Sequence, residues 1–100
     1  MTRQIAVYSA GPACMQCRLT EKRLASLCLT YDAFSAEDLS DELRAAAVAL
    51  GAAIQAPLVI VRDATGEATQ AWGGYRSDLI ETLAGERREA ESLLSVGKVA

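Results

Sequence analysis

Two cysteines three positions apart, Cys14-Met15-Gln16-Cys17, lie where an extended apolar run gives way to a helical pattern. No other feature constrains the chain as tightly. Gln4 to Ser9 reads as a buried strand, with Ile5, Val7 and Tyr8 supplying β-propensity. Ala10-Gly11-Pro12 breaks it. From about Met15 to Leu27 the pattern is helical, with Cys17, Thr20, Leu24 and Leu27 on one face and Arg18, Glu21, Lys22 and Ala25 on another. Cys14 is therefore expected just ahead of the helix or at its first position. Unpaired backbone N–H groups and the positive end of the helix dipole stabilise a thiolate there. The thiolate, not the thiol, attacks disulfides. Cys17 lies one turn along, close enough to close a disulfide ring. The expected roles are Cys14 as exposed nucleophile and Cys17 as the resolving cysteine beneath it, beside Thr20 and Leu24.

A Cys-x-x-Cys is also half of a zinc or iron–sulfur site. Such sites need a second pair or histidines. The chain has three cysteines and no histidine, so only Cys28 remains to join the pair. A metal site through Cys14, Cys17 and Cys28 is thus the weakest alternative, and a lone pair after a strand–helix boundary reads as a redox motif. Cys28 itself reads as a small, buried or half-buried apolar residue. The expectation is no metal and no bound cofactor, with a redox-active Cys14–Cys17 disulfide as the working group. No secretory signal is legible, and the first apolar run is too short for a membrane span. That places the chain in the cytoplasm, where thiols are kept reduced and a close cysteine pair is catalytic more often than structural. A formal net charge of −3 argues against nucleic acid as partner.

The rest of the 100 residues reads as one domain with no repeat or linker. Leu29 to Phe34 is a second strand. Ser35 or Asp38 could cap the next helix, whose positive N-terminus suits Glu37, Asp38, Asp41 and Glu42. Leu39, Leu43, Ala46, Ala47 and Leu50 form its inward stripe, and Gly51 is a natural stop. Pro57 opens the unbroken apolar run Leu58-Val59-Ile60-Val61, suited to a central strand buried on both faces. Asp63-Ala64-Thr65-Gly66 reads as a hairpin turn, Ala68 to Trp72 as the returning strand and Gly73-Gly74 as a further turn. A last helix covers about Ser77 to Ala84. The order βαβαββα is an α/β pattern in which the first two strands are parallel and the last two antiparallel. The domain is expected over residues 1–84, with 85–100 a C-terminal extension, helical or frayed.

With these residues on the page, the chain resembles the NrdH-redoxin family, glutaredoxin-like proteins of the thioredoxin-fold superfamily. The resemblance covers about residues 2 to 84. It rests on Val7-Tyr8, Pro12-Ala13-Cys14-Met15-Gln16-Cys17, Thr20, Lys22, Gly51, Gln55-Ala56-Pro57 and Trp72-Gly73-Gly74-Tyr75-Arg76-Ser77-Asp78. Ser77 stands where the family carries a proline, and the loop before Cys14 is one residue longer. The resemblance implies a thioredoxin fold, with a four-stranded mixed sheet flanked by helices and a cis Ala56-Pro57 bond. It implies a thiol–disulfide oxidoreductase that reduces the disulfide of a class Ib ribonucleotide reductase and is recharged by thioredoxin reductase; a monomer is the default expectation. Met15, Gln16, Thr20, Ala56 and Pro57 would support the site, and Trp72, Gly74, Tyr75, Arg76 and Asp78 would line the groove and partner surface. Thr20 could hydrogen-bond a cysteine sulfur or a carbonyl one turn back. Trp72 and Tyr75 could close a groove against Arg76 or be ordinary core and rim aromatics; the matching motif favours the first. Two rival functions stay open. One is a glutathione-dependent glutaredoxin, because Gly73-Gly74 followed by Asp78 resembles a γ-glutamyl-binding pattern. The other is a binding module whose thiols merely sense oxidation.

Overall fold

The computed structural model describes residues 3–86. Strand β1 (Gln4–Ser9) leads through helix α1 (Met15–Ser26) to strand β2 (Asp32–Ser35). A single 3-10 turn (Ala36–Asp38) and helix α2 (Asp41–Ala49) follow, then the hairpin of β3 (Leu58–Arg62) and β4 (Ala68–Gly73). A third helix, α3, occupies residues 77–86. The sheet order is β2-β1-β3-β4, with β1 parallel to β2 and both β1–β3 and β3–β4 antiparallel. This is the βαβαββα order that the sequence pattern predicts and the mixed four-stranded sheet that the resemblance implies. The extension expected over 85–100 is helical at 85 and 86; the remainder lies outside the described residues.

Alternation along the strands builds two cores. Ile5 and Val7 of β1, Val59 and Val61 of β3, and Trp72 of β4 meet Leu24 of α1 and Ile80, Leu83 and Ala84 of α3. On the other face Tyr8, Leu58 and Ile60 meet Ala47 of α2, flanked by Leu39 and Leu43. Successive residues of β3 thus feed opposite cores, which is why its apolar run is unbroken. Each fully buried Leu, Ile or Val side chain stabilises the fold by about 1.5–3 kcal/mol. Across the first core, Arg3–Glu86 (3.3 Å) and Arg23–Glu81 ion pairs join the N-terminus and α1 to α3. Both are solvent-exposed, so each contributes only about 0–1 kcal/mol.

Helix ends account for most differences from the expected boundaries. α1 stops in a Schellman arrangement: the Cys28 N–H donates to the Ala25 carbonyl at 3.0 Å and the Leu29 N–H to the Leu24 carbonyl at 2.9 Å. Leu29 is buried against Leu24, and its N–H is already engaged. It therefore belongs to the helix stop and not to β2, which begins three residues later at Asp32. Ser35 caps only the 3-10 turn, accepting from the Glu37 N–H. The cap of α2 is Ser40, whose hydroxyl accepts from the Leu43 N–H at 3.1 Å. Gly51 ends α2 in a second Schellman arrangement with φ of 91°. Leu50, expected to face inward, is 40% exposed because it is the C-cap, outside the packed stripe.

Cys28 holds the left-handed position of the α1 stop, with φ of 59°, where glycine is preferred. It is exposed, so the expected buried or half-buried setting is not found. The left-handed region costs a residue with a Cβ about 1–2 kcal/mol, part of which glycine returns through its freer unfolded chain. Cys28→Gly is therefore expected to raise stability by about 1 kcal/mol. Urea unfolding is the check, read as a higher midpoint at unchanged slope.

Candidate functional site

The site is assembled where β1 ends and α1 begins. Cys14 is the N-cap of α1, with extended backbone (φ −81°, ψ 107°) and a sulfur that accepts from the Cys17 N–H at 3.3 Å. A turn closed by the Cys14 N–H on the Gly11 carbonyl, at 3.1 Å, delivers the chain to this position. Cys14 and Cys17 form a disulfide with Cα atoms 5.2 Å apart. Cys14 is half-buried, whereas Cys17 is 0% exposed, packed on the inner face of α1 with Thr20 and Leu24. Met15, between the cysteines, is 64% exposed. The pair thus has one accessible and one enclosed sulfur. The accessible one accepts from the Cys17 N–H, which has no partner within the helix and would also receive it as a thiolate.

Gln16 connects this motif to the far side of the fold. Its side-chain carbonyl accepts from the Tyr75 N–H at 3.1 Å, 59 residues away in sequence. Gly74 sits directly beside it with φ of 82°; a Cβ there would lie 3.1 Å from Gln16 Oε1 and 2.5 Å from Gln55 Nε2. The Gly74 N–H donates to the Pro57 carbonyl at 2.8 Å, and the Ala56-Pro57 peptide bond is cis. The Cys-x-x-Cys, the Gln55-Ala56-Pro57 segment and the Gly73-Gly74-Tyr75 segment therefore converge on one spot. Ala56 is half-buried and also borders a shallow apolar depression of about 190 Å³, lined by Tyr8, Leu39, Arg44, Ile54 and Leu58. Gln55 and Gly73 belong to the motifs that carry the resemblance, and Gly73 to the γ-glutamyl-binding pattern, but neither is among the residues expected to support the site; the structure brings both to this spot.

Other expected site residues fall differently. Trp72 is 4% exposed within the first core, so it underlies the sheet and does not close a groove against Arg76. Its strand partner is Val59, on the face covered by α1 and α3. Tyr75 is half-buried against the same core. Arg76 makes a two-pronged pair with Asp78, Nε to Oδ1 at 3.1 Å and an NH2 group to Oδ2 at 3.0 Å. Hydrogen bonds from Arg76, first, and from backbone N–H groups hold the Asp78 carboxyl below the usual carboxylate range; the same side-chain hydrogen bonds, and then the carboxylate charge, raise Arg76. Thr20 makes neither expected hydrogen bond. Its hydroxyl, 0% exposed, finds no partner among the described residues.

The third cysteine stands at the other end of α1, roughly 20 Å away along the helix at 1.5 Å per residue. That separation removes a site built from Cys14, Cys17 and Cys28. Among the described residues no group of three His, Cys, Asp or Glu could hold a metal ion. No described helix is long and apolar enough to cross a membrane. Chemically, the arrangement is suited to thiol–disulfide exchange through one half-buried and one fully buried cysteine.

No protein-family model matches the chain. No curated protein matches it either. Among solved structures it is similar to the glutaredoxin-like protein NrdH-redoxin from Escherichia coli, a protein described as having a thioredoxin-like activity profile. The TM-score is 0.56 at 22% sequence identity, over 80% of this chain and 93% of that one. The chain has a thioredoxin-like α/β fold, similar in architecture to that glutaredoxin-like redoxin.

Proposed function

We propose that the protein is a dithiol electron donor that reduces disulfides through Cys14 and Cys17. The observation that carries this reading is the asymmetric pair, a half-buried N-cap sulfur bonded to one that is fully enclosed. The proposed partner surface is the face on which Gln16, Ala56, Pro57 and Gly74 converge, continued along the chain by Tyr75, Arg76 and Asp78. The proposed acceptor is the disulfide of a class Ib ribonucleotide reductase. The proposed electron source is thioredoxin reductase. This finer assignment rests on the motif resemblance; a cytoplasmic location and a monomeric state are proposed with it.

Glutathione is the competing electron source. The Gly73-Gly74 segment and Asp78 favour it, but both Asp78 oxygens are already engaged by Arg76, which weighs against γ-glutamyl binding there. NADPH consumption with insulin disulfides as acceptor separates the readings. Turnover is expected with thioredoxin reductase and not with glutathione plus glutathione reductase. The reverse pattern would move the protein to the glutaredoxins, and silence with both would favour a binding module.

A further inference from the structure

The hydroxyl of Thr20 is a buried polar group that makes no hydrogen bond among the described residues, one helical turn from a sulfur that changes its bonding during the proposed cycle. Thr20 and Cys17 are both 0% exposed and share the inner face of α1. Residues three apart on a helix are side-chain neighbours. In the disulfide form neither Cys17 Sγ nor a helix carbonyl partners Thr20 Oγ1. The Cys14 carbonyl, one turn back from Cys17, is engaged by the Arg18 N–H at 3.1 Å. The other orphan among the described residues, Trp72 Nε1, is not within bonding reach of Thr20 either. A lone buried hydroxyl raises the free energy of whichever state leaves it unpaired.

Reduction changes what lies beside it. The Cys14–Cys17 disulfide takes up two electrons and two protons, the sulfur–sulfur bond breaks, and two thiols form. Cys17 Sγ is then no longer tied to Cys14 and carries a new S–H in a fully enclosed position. That thiol needs a partner, and Thr20 supplies a hydroxyl that both donates and accepts. We infer that Thr20 is a positioning residue for Cys17, forming a hydrogen bond to its sulfur only in the dithiol state and so shifting the dithiol–disulfide equilibrium toward the reduced form. The inference deepens the proposed oxidoreductase function and rests on it. Its direction is definite: the hydroxyl penalises the disulfide and relieves the dithiol, so removing it makes the protein a stronger reductant.

The test is a redox equilibration of the full chain and of Thr20→Val and Thr20→Ser at defined ratios of reduced to oxidised glutathione. The balanced reaction is protein disulfide plus two glutathione thiols, giving protein dithiol plus glutathione disulfide. Acid quenching and maleimide labelling in denaturant count the thiols by mass, three in the dithiol and one, Cys28, in the disulfide. Thr20→Val keeps shape and volume without the hydroxyl. It is expected to lower the equilibrium constant for reduction about tenfold, equivalent to roughly 30 mV more negative. Thr20→Ser, which keeps the hydroxyl and loses a methyl, should return to within about twofold of the parent, well inside that tenfold effect. A matching sign should appear in thermal unfolding, with Thr20→Val raising the melting temperature of the oxidised protein relative to that of the reduced one. An unmoved constant in Thr20→Val overturns the inference, as does a constant for Thr20→Ser that stays with the valine variant. If the parent never reaches the one-thiol species, the oxidoreductase reading itself fails, an outcome distinguishable from both.

Discussion

Cys14→Ser is expected to abolish disulfide reduction, by roughly a thousandfold or more against any protein substrate, while Cys17→Ser stops the cycle one step later. The asymmetry follows from burial. Cys17 is 0% exposed and cannot meet a macromolecular disulfide; Cys14, at the helix N-cap, can. In the first step the Cys14 thiolate attacks one sulfur of the target, and the other target sulfur leaves as a thiolate. In the second the Cys17 thiolate attacks Cys14 Sγ and releases the remaining target sulfur. Two electrons have passed to the target, and the chain is left with the Cys14–Cys17 bond that this structure contains. Cys17→Ser should therefore accumulate a covalent one-to-one adduct with a disulfide substrate, visible on a non-reducing gel and dissolved by dithiothreitol. With the exposed Cys28 also replaced by serine in both variants, Cys14→Ser should form none. Should Cys14→Ser keep parental turnover, the assignment of the nucleophile would be wrong. The adduct appearing in the Cys14→Ser, Cys28→Ser protein instead would mean that the buried sulfur becomes accessible.

What could be read from the sequence, and what could not, divides along local and non-local physics. The order of elements and the position of Cys14 at the start of α1 depend on periodicity and on breakers such as Gly11-Pro12 and Gly51, all of which act within a few residues. The two-sided burial of β3 is equally local, since Leu58-Val59-Ile60-Val61 leaves no polar face. Leu29 was misplaced because its role depends on Cys28 adopting a left-handed conformation, which composition does not announce in a non-glycine residue. Ser40 was missed although Ser-Asp-Glu ahead of an alanine-rich run is a helix-start pattern; the earlier serine competed for the same role. Trp72 and Thr20 could not have been settled locally. Whether an indole lines a groove or fills a core depends on which strand face α1 and α3 cover, and whether a helix threonine is satisfied depends on what its rotamer meets. The convergence of Gln16, Gln55 and Gly74 spans 58 residues of chain and emerges only from the fold.

That convergence carries the second large expected effect, at Gly73. A Cβ on this residue would stand 2.0 Å from the Ala53 carbonyl oxygen, 3.0 Å from its carbon and 2.9 Å from Gln55 Cγ. The first two are backbone atoms, so no side-chain rotation relieves the contact; either β4 or the segment ahead of Pro57 must move. Overpacking against side chains typically costs about 1–3 kcal/mol, and a rigid backbone partner puts Gly73→Ala at or above the upper end, about 3 kcal/mol. For a domain of this size that lowers the melting temperature by on the order of 10–20 °C. The displaced segment is the one that carries Ala56 and Pro57, so disulfide reduction should fall in the protein that remains folded. Gly74→Ala is the informative contrast. There the new Cβ meets the ends of the Gln55 and Gln16 side chains, which can swing away, and the cost is mainly that of the left-handed backbone, about 1–2 kcal/mol. Thermal unfolding followed by far-UV circular dichroism should thus rank parent above Gly74→Ala above Gly73→Ala. Activity should be damaged in both, because the Gly74 variant releases Gln16 from the Tyr75 N–H. If Gly73→Ala melted with the parent, the segment before Pro57 would have room to retreat, and the close packing of β4 against it could not be what fixes the position of Pro57 against Gly74.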